Sequence, residues 1–151
     1  MKNKEIFTIG FTQKSAEYFF SLILKSKIQL LVDVRLNNKS QLAGFTRGPD
    51  LQFFLDRICN CKYKHLIEYA PDKPLLQAYK NKCNPISWNE YKDKYERIIL
   101  KRNAIEKFQE ILESADRICL LCSEHSPNNC HRAILSSMIA ERYNVTVTHL
   151  M

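Results

Sequence analysis

Glycine is scarce in this chain, with 3 residues in 151, and proline numbers only 5. That scarcity excludes collagen-like, linker-like and low-complexity architectures. Long apolar runs are missing too: none approaches the ~18 residues that a membrane-spanning helix needs. The N-terminal Met1-Lys2-Asn3-Lys4-Glu5 is basic, but neither an apolar stretch nor a small-residue cleavage site follows it, so no secretory signal is expected. The expected location is therefore the cytoplasm, where the six cysteines are expected to stay reduced. What is present is ordinary for a globular protein, with 45% hydrophobic and 26% charged residues in a length that suits one domain. The net charge of +7, from 23 basic and 16 acidic residues, suits an anionic partner such as a nucleotide, nucleic acid or other phosphorylated compound. The lysines are spread along the chain, however, and a dispersed excess also serves simply to solvate a surface.

The hydrophobic pattern alternates between two periods. Ile6-Phe7-Thr8-Ile9, stopped by Gly10, reads as a strand. Ser15 is placed to cap a helix whose apolar positions, Phe19, Leu22 and Ile23, recur at helical spacing. The nearly continuous apolar run from Gln29 to Val34 has the look of a parallel strand covered on both faces. Together these make a βαβ unit with an expected right-handed crossover. Leu36 to Asp50 is rich in Asn, Gly and Ser and reads as a long loop, the kind that tends to be functional.

A helix is predicted from about Asp50, with Leu51, Phe54, Leu55 and Ile58 inward, and a third strand over Cys61 to His65. From Glu68 to Pro85 the pattern weakens, broken by Pro71, Pro74 and Pro85. Ser87–Leu100 and Ala104–Ser114 read as helical, either separate or continuous with a bend, followed by a fourth strand at Arg117–Cys122, a helix at Cys130–Tyr143 and a fifth strand at Val145–His149. No repeat or composition shift marks a boundary. The expectation is a single α/β domain over residues 1–151, an open, mostly parallel sheet of about five strands with helices on both faces. Ligands in such sheets sit beyond the carboxyl ends of the strands.

Two clusters at strand ends can carry chemistry. Asp33 and Arg35 are two apart on one strand and so share a face. They serve either as functional groups or as a structural ion pair that pins the loop. The second cluster runs from Cys122 to Arg132, from a strand end to the first turn of a helix. Asn129 is the expected N-cap there, and a helix start carrying Arg132 makes a good anion site. Glu124, in the loop between, suits a general acid or base. The helix dipole would favour a Cys130 thiolate, while Cys122 and Cys130 can equally be inert core thiols.

Three sharper patterns fail to fit. Cys122 and Arg132 stand ten residues apart, too far for a phosphatase loop. Cys119 and Cys122 face opposite sides of a strand, a poor arrangement for a dithiol. Cys122, His125, Cys130 and His131 hold zinc-compatible atoms without a zinc-like spacing, so no cofactor or metal is expected. Elsewhere, Tyr63 and His65 share a strand face at the rim, with His65 suited to proton transfer. Gly10-Phe11-Thr12 offers backbone N–H groups to a phosphate, on the weak signal of one glycine.

These pieces occur in a recognisable order: Thr8-Ile9-Gly10-Phe11-Thr12, then Leu31-Val32-Asp33-Val34-Arg35 with Ser40 and Phe45, then Tyr63-Lys64-His65-Leu66, then Leu120-Leu121-Cys122-Ser123-Glu124 with Cys130-His131-Arg132. The chain resembles the bacterial and archaeal family called domain of unknown function 488. The resemblance implies a compact α/β domain with these motifs at one site, including Ser40 and His131, and it assigns no activity. Two features differ from the family pattern, which usually has histidine and serine where this chain has Phe11 and Thr12, and a Leu-Gly pair near Glu68-Tyr69-Ala70-Pro71.

The leading expectation is an enzyme, a hydrolase or transferase acting on a phosphate-bearing substrate such as a nucleotide or nucleic acid. Arg35 and Arg132 would hold the anion, Glu124 would act as acid or base, and Asp33 would orient an arginine or a water. Cys122 or Cys130 would be the nucleophile. The rivals are a nucleic-acid-binding module without chemistry, whose basic residues contact phosphates, and a ligand- or metal-sensing partner protein. No membrane partner is expected.

Overall fold

A computed structural model describes residues 3–39, 44–124 and 126–151. The β-branched and apolar runs form five strands: β1 (Glu5–Gly10), β2 (Leu30–Asp33), β3 (Lys62–His65), β4 (Arg117–Cys122) and β5 (Thr146–Leu150). They make one parallel sheet in the order β3-β2-β4-β1-β5. The amphipathic segments form α1 (Ala16–Lys25), α2 (Gly48–Cys59), α3 (Lys73–Lys80), α4 (Trp88–Lys101), α5 (Ala104–Ser114) and α6 (His131–Tyr143). Among the described residues no helix is long and apolar enough to cross a membrane.

Alternation along the strands divides the core in two. Phe7, Ile9, Leu31, Cys119 and Leu121 face α1 and α2, packing on Phe19, Ile23, Leu51 and Leu55. Ile6, Leu30, Val32, Ile118 and Leu120 face the opposite way, toward α4, α5 and α6. Each fully buried aliphatic side chain contributes roughly 1.5–3 kcal/mol, so the two layers hold the central strands firmly in register. Cys119 and Cys122 lie in opposite layers, as their strand spacing requires.

The local signals explain most element ends. The Ser15 side chain accepts the Tyr18 N–H at the start of α1, and Ser87 does the same for Glu90 at the start of α4. Four observations correct the sequence reading. Ile58 is 48% exposed, because α2 buries only a narrow stripe through Leu51 and Leu55. The segment around Pro74 contains α3: Asp72 caps it through the Leu75 N–H, and proline is tolerated in the first turn, where its missing N–H costs nothing. Asn103, at φ 55°, separates α4 from α5. Asn129, at φ 58°, is not the cap of α6; that position belongs to Cys130, whose side chain makes no capping bond.

Topology places the crevice. The chain leaves β1 toward β2 through α1 on one face, and leaves β4 toward β5 through α6 on the other. These two strands are neighbours, with Gly10 opposite Cys122 at their ends. Connections that diverge from adjacent parallel strands open a gap above the carboxyl ends. Asp33, paired with Leu121, puts the end of β2 beside the same gap.

Candidate functional site

Asp33 ends β2 and is fully buried, where an unpartnered carboxylate would be costly. Both its oxygens are satisfied. Oδ1 accepts the Arg35 backbone N–H at 3.1 Å and its Nε at 2.8 Å, and Oδ2 accepts Arg35 Nη2 at 2.7 Å and the Tyr63 hydroxyl at 2.6 Å. Arg35 Nη2 also donates to the Thr46 carbonyl at 2.6 Å. Tyr63 accepts from Asn38 at 3.0 Å, and the His65 ring bonds through Nε2 to the Arg35 carbonyl at 2.7 Å. Burial, and then the Asp33 charge, raise the Tyr63 pKa, so its hydroxyl stays a donor. This half of the cluster is a closed network that fixes the start of the long loop. The Arg35 guanidinium lies over the Phe11 ring, 5.3 Å from its centre.

The β4 half is organised around Arg132. Its side chain runs back beneath the strand ends and is fully buried, so it does not project from the α6 N-terminus as the sequence suggested. Nη1 donates to Cys122 Sγ at 3.2 Å and to the Glu124 carbonyl at 2.5 Å. Gly10 makes room for this: a Cβ there would collide with the Glu124 carbonyl and the Arg132 guanidinium. Burial lowers the Arg132 pKa to about 10, still far above neutrality. Glu124 participates through its backbone, and its side chain is exposed. Cys122 and Cys130, both buried, meet sulfur to sulfur. Cys59, Cys61, Cys83 and Cys119 are free thiols, while Cys122 and Cys130 approach each other with their Cα atoms 7.8 Å apart, wider than a disulfide spans. The reason is positional, since the end of β4 and the cap of α6 fall on the same face.

His131 opens α6. Its Nε2 bonds to the Val34 carbonyl at 2.8 Å, and its ring packs edge-on against Tyr95 at 5.5 Å. Nε2 therefore carries the proton of the neutral ring. Burial lowers its pKa to about 4, against the weaker opposing effect of the Val34 bond, so it is uncharged at neutral pH.

Between these halves lies a cavity of about 630 Å³, which falls in the range of small-molecule sites. Phe11, Phe45, Pro71 and Leu76 line its apolar side. Lys14, Arg35, Lys80 and His131 line it as well, and no carboxylate does so among the described residues. Thr12, whose hydroxyl donates to the Ser123 carbonyl, and Ser123 itself complete the floor.

Lys14 is the residue that sequence reasoning missed. It sits between Gln13, at φ 63°, and the Ser15 cap of α1, inside the first strand-to-helix turn. The residue is 8% exposed, and its Nζ is buried without a hydrogen bond. Burial, and then the charge of Arg132, lower its pKa. A signal did exist in the sequence: a lysine directly before a helix cap at the first βα turn stands where such folds bind ligands.

Of the sequence candidates, the structure brings Thr12, Arg35 and His131 to the cavity lining. Gly10 and Arg132 shape the wall beneath it, and Asp33, Tyr63 and His65 hold Arg35. Glu124, Cys122 and Cys130 line none of it. Ser40 and His125 lie outside the described residues. Among the described residues no group of three or more His, Cys, Asp or Glu side chains is gathered as a metal site. Compared with known proteins, residues 15–139 match the model of a family described as "Domain of unknown function DUF488". No curated protein and no solved structure matches the chain.

Proposed function

Because the chain belongs to the family described as domain of unknown function DUF488, a description that names no reaction, we propose its function from the cavity: it binds a phosphate-bearing small molecule there, as a hydrolase or transferase of that compound. The observation that carries this is Lys14. A buried amine with no hydrogen-bond partner in the protein, close to the buried Arg132 charge, costs about 1–3 kcal/mol for the unmade bond alone. An anion in the cavity removes that cost and turns it into a charge-assisted bond. Lys80 at the mouth adds positive potential, and Arg132 behind the wall adds more without contact.

The chemistry such a lining suits is stabilisation of negative charge on a transferring or hydrolysed phosphate group, which needs positioning and cations more than it needs a covalent nucleophile. His131, held by Val34 and kept neutral by burial, lines the cavity as an uncharged ring. Glu124 contributes by holding Arg132 through its carbonyl, so its carboxylate is dispensable to binding.

Calorimetric titration with inorganic phosphate tests the proposal. The Lys14→Ala protein should bind roughly ten- to a hundredfold more weakly, the loss of one charge-assisted bond. The exposed Lys80→Ala and Glu124→Gln changes should cost much less, because exposed charges are screened. Equal losses at Lys14 and Lys80 would mean that diffuse surface charge holds the anion, and would overturn the assignment.

A further inference from the structure

The phosphate site explains the cations of the cavity and leaves its apolar side without a role. Phe11 and Phe45 are half-buried and line that side, with Leu36, Pro71 and Leu76 around them. An aromatic ring left partly open to a cavity offers a face for something to cover. The Arg35 guanidinium beside Phe11 is held flat by its paired bonds to Asp33, which also balance its charge. Arg35 is buried and already lies over Phe11, so it is a poor phosphate anchor and backs that ring rather than meeting a ligand itself. Phenyl rings stack on flat heteroaromatic rings. At the rim stand the exposed amides of Gln13 and Asn37, groups that both donate and accept. Asn37 Oδ1 already accepts the Lys39 backbone N–H at 2.8 Å, which leaves the side-chain NH₂ to face a ligand edge.

A sugar phosphate would satisfy Lys14 and leave the stacking surface wet. A flat base attached to the phosphate covers both. We propose that the ligand is a mononucleotide, with its phosphate on Lys14 and its base against Phe11. This rests on the phosphate assignment above and adds the class of compound. The cavity, at about 630 Å³, suits one nucleotide rather than a run of them.

Titrating inorganic phosphate, ribose 5-phosphate, AMP, UMP and a short RNA trinucleotide into the wild-type and Phe11→Leu proteins separates the layers of this inference. Leucine keeps apolar volume and removes the ring. AMP should bind the wild type about tenfold or more tighter than ribose 5-phosphate, the gain expected of one base stack on an aromatic ring. Phe11→Leu should erase most of that advantage and leave inorganic phosphate binding unchanged. If this variant does not fold, the wild-type ratio of AMP to ribose 5-phosphate decides alone. Equal affinity for these two compounds would overturn the nucleotide and spare the phosphate site. A trinucleotide binding more tightly than AMP at the same salt would overturn it in favour of nucleic acid. Failure of inorganic phosphate and every ester to bind would instead bring down the phosphate assignment beneath it.

Discussion

Lys14→Met keeps the length of the side chain and removes the buried amine, so stability and binding should move in opposite directions. The residue is 8% exposed, its Nζ makes no hydrogen bond, and Arg132 adds repulsion. An unsatisfied buried donor costs about 1–3 kcal/mol, and methionine fills the same space without one. In phosphate-free buffer the variant should therefore be more stable by about that amount. At roughly 2–4 °C per kcal/mol for a domain of this size, its melting temperature should rise by about 2–12 °C. The pH dependence has a definite sign. Lys14 binds its proton less tightly in the folded protein than in the unfolded chain, so the wild type gains stability as pH rises through the window between its lowered pKa and 10.5. The advantage of methionine should narrow over that window. Added phosphate should stabilise the wild type by mass action and leave the variant nearly unmoved. Differential scanning calorimetry with and without phosphate reads all of this. A methionine variant several degrees less stable than the wild type in phosphate-free buffer would show that the amine has a structural partner, and the anion site would fall with it.

Three further changes probe the supports. Gly10→Ala drives a methyl group into the Glu124 carbonyl and Arg132, and should cost about 1–3 kcal/mol or more in urea unfolding; a neutral effect would mean that Gly10 and the Glu124 carbonyl are not in close contact. Asp33→Asn leaves Arg35 buried without its counter-charge, and should cost about 3–5 kcal/mol in urea unfolding. His131→Gln should flatten the acid side of the stability profile. The folded pKa of about 4 lies below the ordinary 6.5, so the unfolded chain takes the proton first and the wild type loses up to about 3 kcal/mol as pH falls through that window. An unchanged difference in urea midpoint between pH 7 and pH 4.5 would remove that role from His131.

The fold was largely legible because its strongest signals are local and periodic. The apolar run through Val32 and Leu31, the caps at Ser15 and Ser87, and the buried stripes of α1 and α5 each specify one element. α3 was hidden because Pro74 reads as a breaker unless its first-turn position is known. Ile58 was misjudged because a helical period shows a stripe but not its width. At the site, the sequence located the strand ends and could not orient side chains. Arg132 looked like an exposed helix-start cation, and only the close approach permitted by Gly10 turns it inward. Lys14 stayed unseen because its significance lies in what does not touch it, which no spacing encodes.

The most direct measurement is the position of the anion itself, in a crystal structure of the protein grown with AMP. Phosphate density is expected within hydrogen-bond distance of Lys14 Nζ, in the cavity between Phe11 and His131. Density confined to the exposed lysines, with the cavity empty at saturating AMP, would contradict that expectation.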